Sequence, residues 1–326
     1  LLKKKNINFI KILIKKKFFI NSKTWVYGCL HEYNDIDSSM LISNNNLSVY
    51  HGNDNFITKK SLIPFKKNVG NVDIGCIPFA FIHYYPYLLD GISKKKMLLE
   101  GRKLENKFMN YGIMQSKILK PKVVIPFGSN LFHSDNPDSD MNRAVATPID
   151  FVHYARKKNS RFSKNYKTIL SGSFCLKING KIKSYYETVS LNKFNNELKK
   201  FILRKKKITK YLKLGGSSKI SVKNLKFIKS KITKNKKKFN HKIIISSLKT
   251  IDNKIMINLL NNKVDIYKEK ELPNNCHYFC LENVEFQLWV NGKITFEEVL
   301  GSRRFRYIRK PNNYNVKIMQ IYTNYL

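Results

Sequence analysis

Three arginines near the end of the chain, Arg303, Arg306 and Arg309, are the residues whose type and spacing point most directly to chemistry. A guanidinium offers a planar fork of donors that grips a phosphate or carboxylate bidentately, so the trio is a candidate clamp for an anionic small-molecule substrate. The same three residues can equally pin the C-terminal segment to its own domain. Cys276-His277-Tyr-Phe-Cys280 is the one Cys/His cluster, and no second Cys/His pair stands at zinc-site spacing from it. Nor does the chain carry the separated Cys-x-His and Cys-x-x-His boxes that hold a Rieske cluster. The cluster reads as buried strand. Five cysteines, odd in number and scattered, argue against a secreted disulfide framework and for reduced thiols in the cytoplasm.

The charge balance asks what such residues would meet. With 62 Lys+Arg against 22 Asp+Glu the formal net charge is +40, which suits a polyanion such as nucleic acid, bound without sequence preference. A second reading is open. Lys, Asn and Ile share A/T-rich codons, so the excess of lysine also fits a solvated surface drawn from a biased genome. The apolar content of 42%, with 13% aromatics, is that of a folded protein long enough to bury one good core or two smaller ones. Lysines interrupt every apolar run before it reaches the roughly 18–20 residues a membrane span needs.

The elements that must position these residues fall into three stretches. Over residues 1–156, Trp25-Val-Tyr27, residues 39–43 and residues 47–50 read as strands, the last two joined by an Asn44-Asn45-Asn46 turn. A buried strand over 72–79, a helix over 94–117 and a strand over 122–126 follow, which is an α/β unit with its active loops beyond the strand ends. Residues 157–275 are lysine-rich, with runs at 204–207 and 234–238, and read as a mostly helical accessory region. Residues 276–326 regain pattern: Glu285-Phe-Gln-Leu-Trp-Val290 is strand-like, Asn291-Gly292 is a turn, and Thr295 caps a helix.

Three blocks, in order, carry a family likeness. They are His31-Glu-Tyr-Asn-Asp-Ile-Asp37-Ser-Ser-Met-Leu-Ile with His51-Gly-Asn-Asp54-Asn55, then Lys120-Pro-Lys-Val-Val-Ile-Pro126-Phe127-Gly128. The third is Asn291-Gly-Lys-Ile-Thr-Phe-Glu-Glu-Val-Leu-Gly-Ser-Arg303-Arg-Phe305-Arg306-Tyr-Ile-Arg309-Lys-Pro311-Asn-Asn-Tyr314-Asn315. Together they resemble the metallo-β-lactamase-fold portion of CMP-N-acetylneuraminate hydroxylase and its bacterial relatives, over about half of the chain. The resemblance implies an α/β fold: the C-terminal half of a metallo-β-lactamase-like αββα sandwich, followed by the basic accessory region and a C-terminal α/β tail.

It also implies a metal-dependent hydrolase-like activity, with a divalent metal (zinc, iron or manganese) activating a water. By position His31 resembles the family's later metal-ligating His and Asp54 its bridging Asp. His133, five residues past Gly128, is the candidate for the final His, because Gly128 stands where many relatives place that ligand. The departure is the missing His-x-His-x-Asp-His box: the seven histidines, at 31, 51, 83, 133, 153, 241 and 277, are never two residues apart. Without that box the candidates fall short of the three or more protein ligands that each ion of such a site needs, so the rest of the set, with the N-terminal half of the fold, is expected from upstream sequence or from a partner.

Overall fold

The structure, a computed structural model, describes residues 16–30, 38–54, 57–80, 85–128, 146–158, 164–168, 173–185, 196, 199–200, 203, 220–248, 250–313, 317–318, 321 and 325–326. It divides into two units. The first holds residues 1–82, 102–133 and 142–195, and the second 83–101, 134–141 and 196–326. Both mix helix and sheet.

The first unit is built on a six-stranded sheet in the order β1-β2-β3-β4-β5-β6: β1 Lys17–Phe19, β2 Trp25–Leu30, β3 Ser38–Ser43, β4 Ser48–His51, β5 Ile74–Pro78 and β6 Val123–Phe127. Pairing is antiparallel from β1 to β4 and parallel from β4 to β6. Asn44 closes the β3–β4 turn by accepting the Asn46 and Leu47 amides on its side chain. The parallel connections need crossovers, which are α1 Lys59–Val69 and α2 Lys94–Leu119. A third helix, α3 Pro148–Lys158, follows β6.

Alternation decides which face these helices cover. Tyr27, Leu41, Tyr50, Gly75 and Val124 stand in one cross-sheet row. Their face packs with Leu62 and Phe65 of α1, Met109 and Ile113 of α2, and Phe151 of α3 into one core. The opposite face carries the row Val26, Ile42, Val49, Ile74 and Val123. Over β5 this face is approached by a hairpin, β7 Phe174–Ile178 and β8 Lys181–Tyr185, whose Lys177 bonds Asp73 at 2.9 Å. Over β3 it stays open, with Ile42 43% and Met40 38% exposed.

The second unit is a five-stranded sheet in the order β11-β10-β9-β12-β13: β9 Lys242–Ser247, β10 Thr250–Asn258, β11 Lys263–Tyr267, β12 Cys276–Leu281 and β13 Phe305–Lys310. Only β9 and β12 pair in parallel. Its described residues include the helices α4 Val222–Ile232, α5 Asn283–Val290 and α6 Phe296–Ser302. Ile243, Ile245, Phe279, Trp289, Phe296 and Tyr307 lie in its core.

Two local expectations change here. The lysine-rich stretch 157–275 is not mostly helical among its described residues: it holds β7 to β11, and α4 is its longest helix. The reason is β9, whose Ile243-Ile244-Ile245 run is buried on both faces, Ile243 and Ile245 in the main core and Ile244 with Tyr267 and Cys276, while β10 and β12 supply its hydrogen bonds. Conversely, the segment Glu285–Val290 lies in helix α5, not a strand, with Val284, Phe286, Trp289 and Val290 buried. A short apolar run has no period that separates the two. The Thr295 cap is as expected, with Thr295 and Glu298 forming a reciprocal capping box.

Candidate functional site

Because β2, β4, β5 and β6 all run the same way, they end on one edge of the first sheet, at Leu30, His51, Pro78 and Phe127. Loops leaving that edge are where an α/β fold gathers its chemistry. Gly52 makes the first turn past β4. Its amide bonds the Cys76 carbonyl at 2.9 Å, and a Cβ there would fall 2.3 Å from Pro78 Cδ, so no side chain fits. Ser39 Oγ donates to the Gly52 carbonyl at 3.0 Å and fixes the turn from the β3 side. Asn53 takes the left-handed conformation, φ 50°, and Asp54 follows, exposed.

Across the edge, Gly128 turns the chain out of β6 with φ 79°, and a Cβ built on it would stand 4.0 Å from Asp54 Oδ1. Two positions singled out from sequence, 74 residues apart by subtraction (128 − 54), thus meet. His51, the last residue of β4, packs its ring edge-on to Phe127 with centroids 4.3 Å apart. Its Nδ1 accepts the Asn53 amide at 3.2 Å, so the neutral ring carries its proton on Nε2, which then has no lone pair for a metal. His31 and His133 lie outside the described residues. Among the described residues no group of three His, Cys, Asp or Glu could hold a metal ion. Asp54 offers one carboxylate, one ligand only, and no metal-dependent step follows from these residues.

In the second unit the three arginines do not converge. Alternation along β13 puts Arg309 on the buried face with Phe305 and Tyr307, and Arg306 on the other. Arg309 gives Nε and Nη2 to Asn312 Oδ1, at 3.2 and 2.9 Å, and its guanidinium lies 4.5 Å over the Tyr85 ring. Arg306 is 64% exposed and reaches Asp90 at 3.1 Å. Arg303 ends α6 in the left-handed conformation, and burial lowers its pKa to about 10. For Arg309 the fork is taken up inside its own unit.

The Cys276–Cys280 segment is strand β12, as read. His277 packs edge-on against His241 with centroids 4.6 Å apart. Burial lowers the His277 pKa to about 3, with His241 and Arg309 adding to it, and burial lowers that of His241 to about 4. These are neutral core imidazoles.

Sequence reading missed a cavity of about 670 Å³ in the first unit, lined by Thr58 and Lys59 at the start of α1 and by Lys103, Asn106, Lys107, Asn110, Tyr111 and Met114 of α2. The α2 residues follow the spacing of one helical stripe, which was the signal available.

No family model matches the chain, and no curated protein matches it. Among solved structures it is similar to CmlA, a diiron β-hydroxylase from Streptomyces venezuelae, at 16% identity and a TM-score of 0.28. The similarity covers 44% of this chain and 30% of that one. A likeness of this size assigns neither fold nor activity.

Proposed function

We propose that the first unit is the C-terminal half of a metallo-β-lactamase-like domain and that its working edge is the one where β2, β4, β5 and β6 end. The observation that carries this reading is Asp54 Oδ1 standing 4.0 Å from the Cβ position of Gly128, where the sequence resemblance puts a bridging carboxylate and a final ligand. In this reading Asp54, His31 and His133 contribute to a divalent metal, zinc, iron or manganese, which when bound supplies an activated water. The remaining ligands come from a second polypeptide segment. The open apolar face around Met40 and Ile42 supports the same reading, since an αββα sandwich packs a second sheet against that face. The activity is metal-dependent hydrolysis or hydroxylation of a small anionic substrate, the latter as in the sialic-acid-nucleotide hydroxylases that the sequence blocks resemble.

Elemental analysis tests it. The purified chain is loaded with zinc, iron or manganese, alone and with any longer product of the same locus, and compared with Asp54→Asn. Stoichiometric metal that falls at least tenfold in the variant supports the reading. Metal that is absent from every product, or indifferent to Asp54, rejects it.

A further inference from the structure

Of the three arginines near the end of the chain, Arg306 and Arg309 have partners in their own unit, and Arg303 has none among the described residues. Its side chain is buried, only 8% exposed, and its Nε is sealed from solvent without a hydrogen bond. The neighbouring buried carboxylate is committed elsewhere, since Glu285 holds Arg304 Nε at 3.0 Å. Burial lowers the Arg303 pKa to about 10 with no offsetting rise from a carboxylate, so the guanidinium is charged at neutral pH. A buried charge is costly and is ordinarily paired. The backbone adds to the cost: Arg303 takes φ 56°, a conformation that glycine fills at helix ends without crowding. Its place is the one where an α/β sheet receives ligands. β9 and β12 pair in parallel and end together at Ser247 and Leu281, and β13 begins beside them at Phe305. The Arg304 carbonyl accepts the Glu282 amide at 2.9 Å, which holds Arg303 at this carboxyl edge, next to the start of α5.

We propose that Arg303 is the anchor of an oxyanion site at the carboxyl edge of β9 and β12, gripping the oxygens of a ligand carboxylate or phosphate end-on through its two Nη groups. Of the three guanidinium nitrogens only Nε is sealed, so the Nη pair is the end open to a ligand. That fork matches two oxygens at once, which a chloride ion does not offer. The site lies in the second unit and does not depend on metal at the Asp54 edge of the first.

NMR of the full chain carrying isotope-labelled arginine tests this. The sealed Nε–H of Arg303 exchanges slowly with water and gives a resonance assigned by its loss in Arg303→Lys. Sodium phosphate and sodium acetate are titrated in turn against sodium chloride at constant ionic strength. The expected result is a saturable shift of the Arg303 resonance, with those of Arg306 and Arg309 moving less than half as far. Saturation at lower phosphate than acetate assigns a phosphorylated ligand, the reverse a carboxylic acid, and equal saturation the shared oxyanion. Thermal melts give a second readout with Arg303→Met, which removes the charge and keeps an unbranched apolar stem, a change that a buried unpaired cation tolerates. Phosphate or acetate should raise the melting temperature of the native chain in step with the NMR saturation, and that gain should vanish in Arg303→Met and survive in Arg306→Gln. No saturable shift, equal movement of all three resonances, or an undiminished gain in Arg303→Met would overturn the proposal.

Discussion

Asp73 and Lys177 are 104 residues apart in sequence and bonded at 2.9 Å in the first unit. Asp73 also holds Lys122 at 2.8 Å and accepts the Ser48 amide at 3.1 Å, so one buried carboxylate ties β4, β6 and the β7–β8 hairpin together. Burial alone would raise its pKa. The hydrogen bonds from Lys122, Lys177 and Ser48 outweigh that and bring it down to about 2. A carboxyl whose folded pKa lies below its unfolded value adds stability that is complete above about pH 4 and is lost as the pH falls towards 2. Asp73→Asn is expected to cost about 1–2 kcal/mol at neutral pH, discounted because Lys122 is 56% exposed and screened by water. Urea titration at pH 7 and pH 2.5 checks it: the difference between wild type and variant should shrink at the lower pH.

The second unit should respond to acid in a different window. His241 and His277 titrate in the folded state near pH 4 and 3, against about 6.5 when unfolded. The unfolded chain takes up protons first, so stability is complete above pH 6.5 and falls below it, at about 1 kcal/mol per pH unit for each imidazole. Trp289 lies in this unit's core and Trp25 in the first unit. Fluorescence of a Trp25→Phe variant then follows the second unit alone. His277→Phe should flatten the slope between pH 6.5 and 4.5; an unchanged slope would mean that the pair does not titrate as placed.

Arg306 and Arg309 should differ sharply on replacement by lysine. Arg306 is mostly exposed, and Arg306→Lys should leave stability within about 0.5 kcal/mol of wild type. Arg309→Lys gives up a two-nitrogen contact with Asn312 and the stack on Tyr85, at a cost of about 1–3 kcal/mol. Paired thermal melts decide it.

Gly52 leaves no space for a side chain. A methyl group 2.3 Å from Pro78 Cδ must push β4 from β5 at the edge that carries Asp54, so Gly52→Ala is expected to destabilise by about 1–3 kcal/mol. Gly28, whose Cβ position has nothing within 4 Å, is the control. If Gly28→Ala costs as much, crowding is not the cause.

Much of the first unit could be read from local chemistry. The Asn44 turn, the long helix α2 and the strand β6 follow from side-chain period and turn preference, which act over a few residues. The same holds for the Thr295 cap, where hydroxyl and carboxylate sit three residues apart. The resemblance also singled out Asp54 and, separately, Gly128, without placing them together.

Tertiary structure decided the rest. Whether Glu285–Val290 coils or extends depends on neighbours that bury it on several sides, and the Ile243–Ile245 run is a strand because β10 and β12 supply its hydrogen bonds. The distance from Asp54 to Gly128 is fixed by two parallel crossovers. Arg306 and Arg309 separate because a β-strand sends successive side chains to opposite faces, and only the pairing of β13 with β12 makes that segment a strand, while Arg303 stands before it at the end of α6. The lysines of the cavity come together because α1 begins beside one stripe of α2. A sequence states which side chains alternate or repeat; which of them meet is set by long-range pairing and burial, energies that no local window of residues contains.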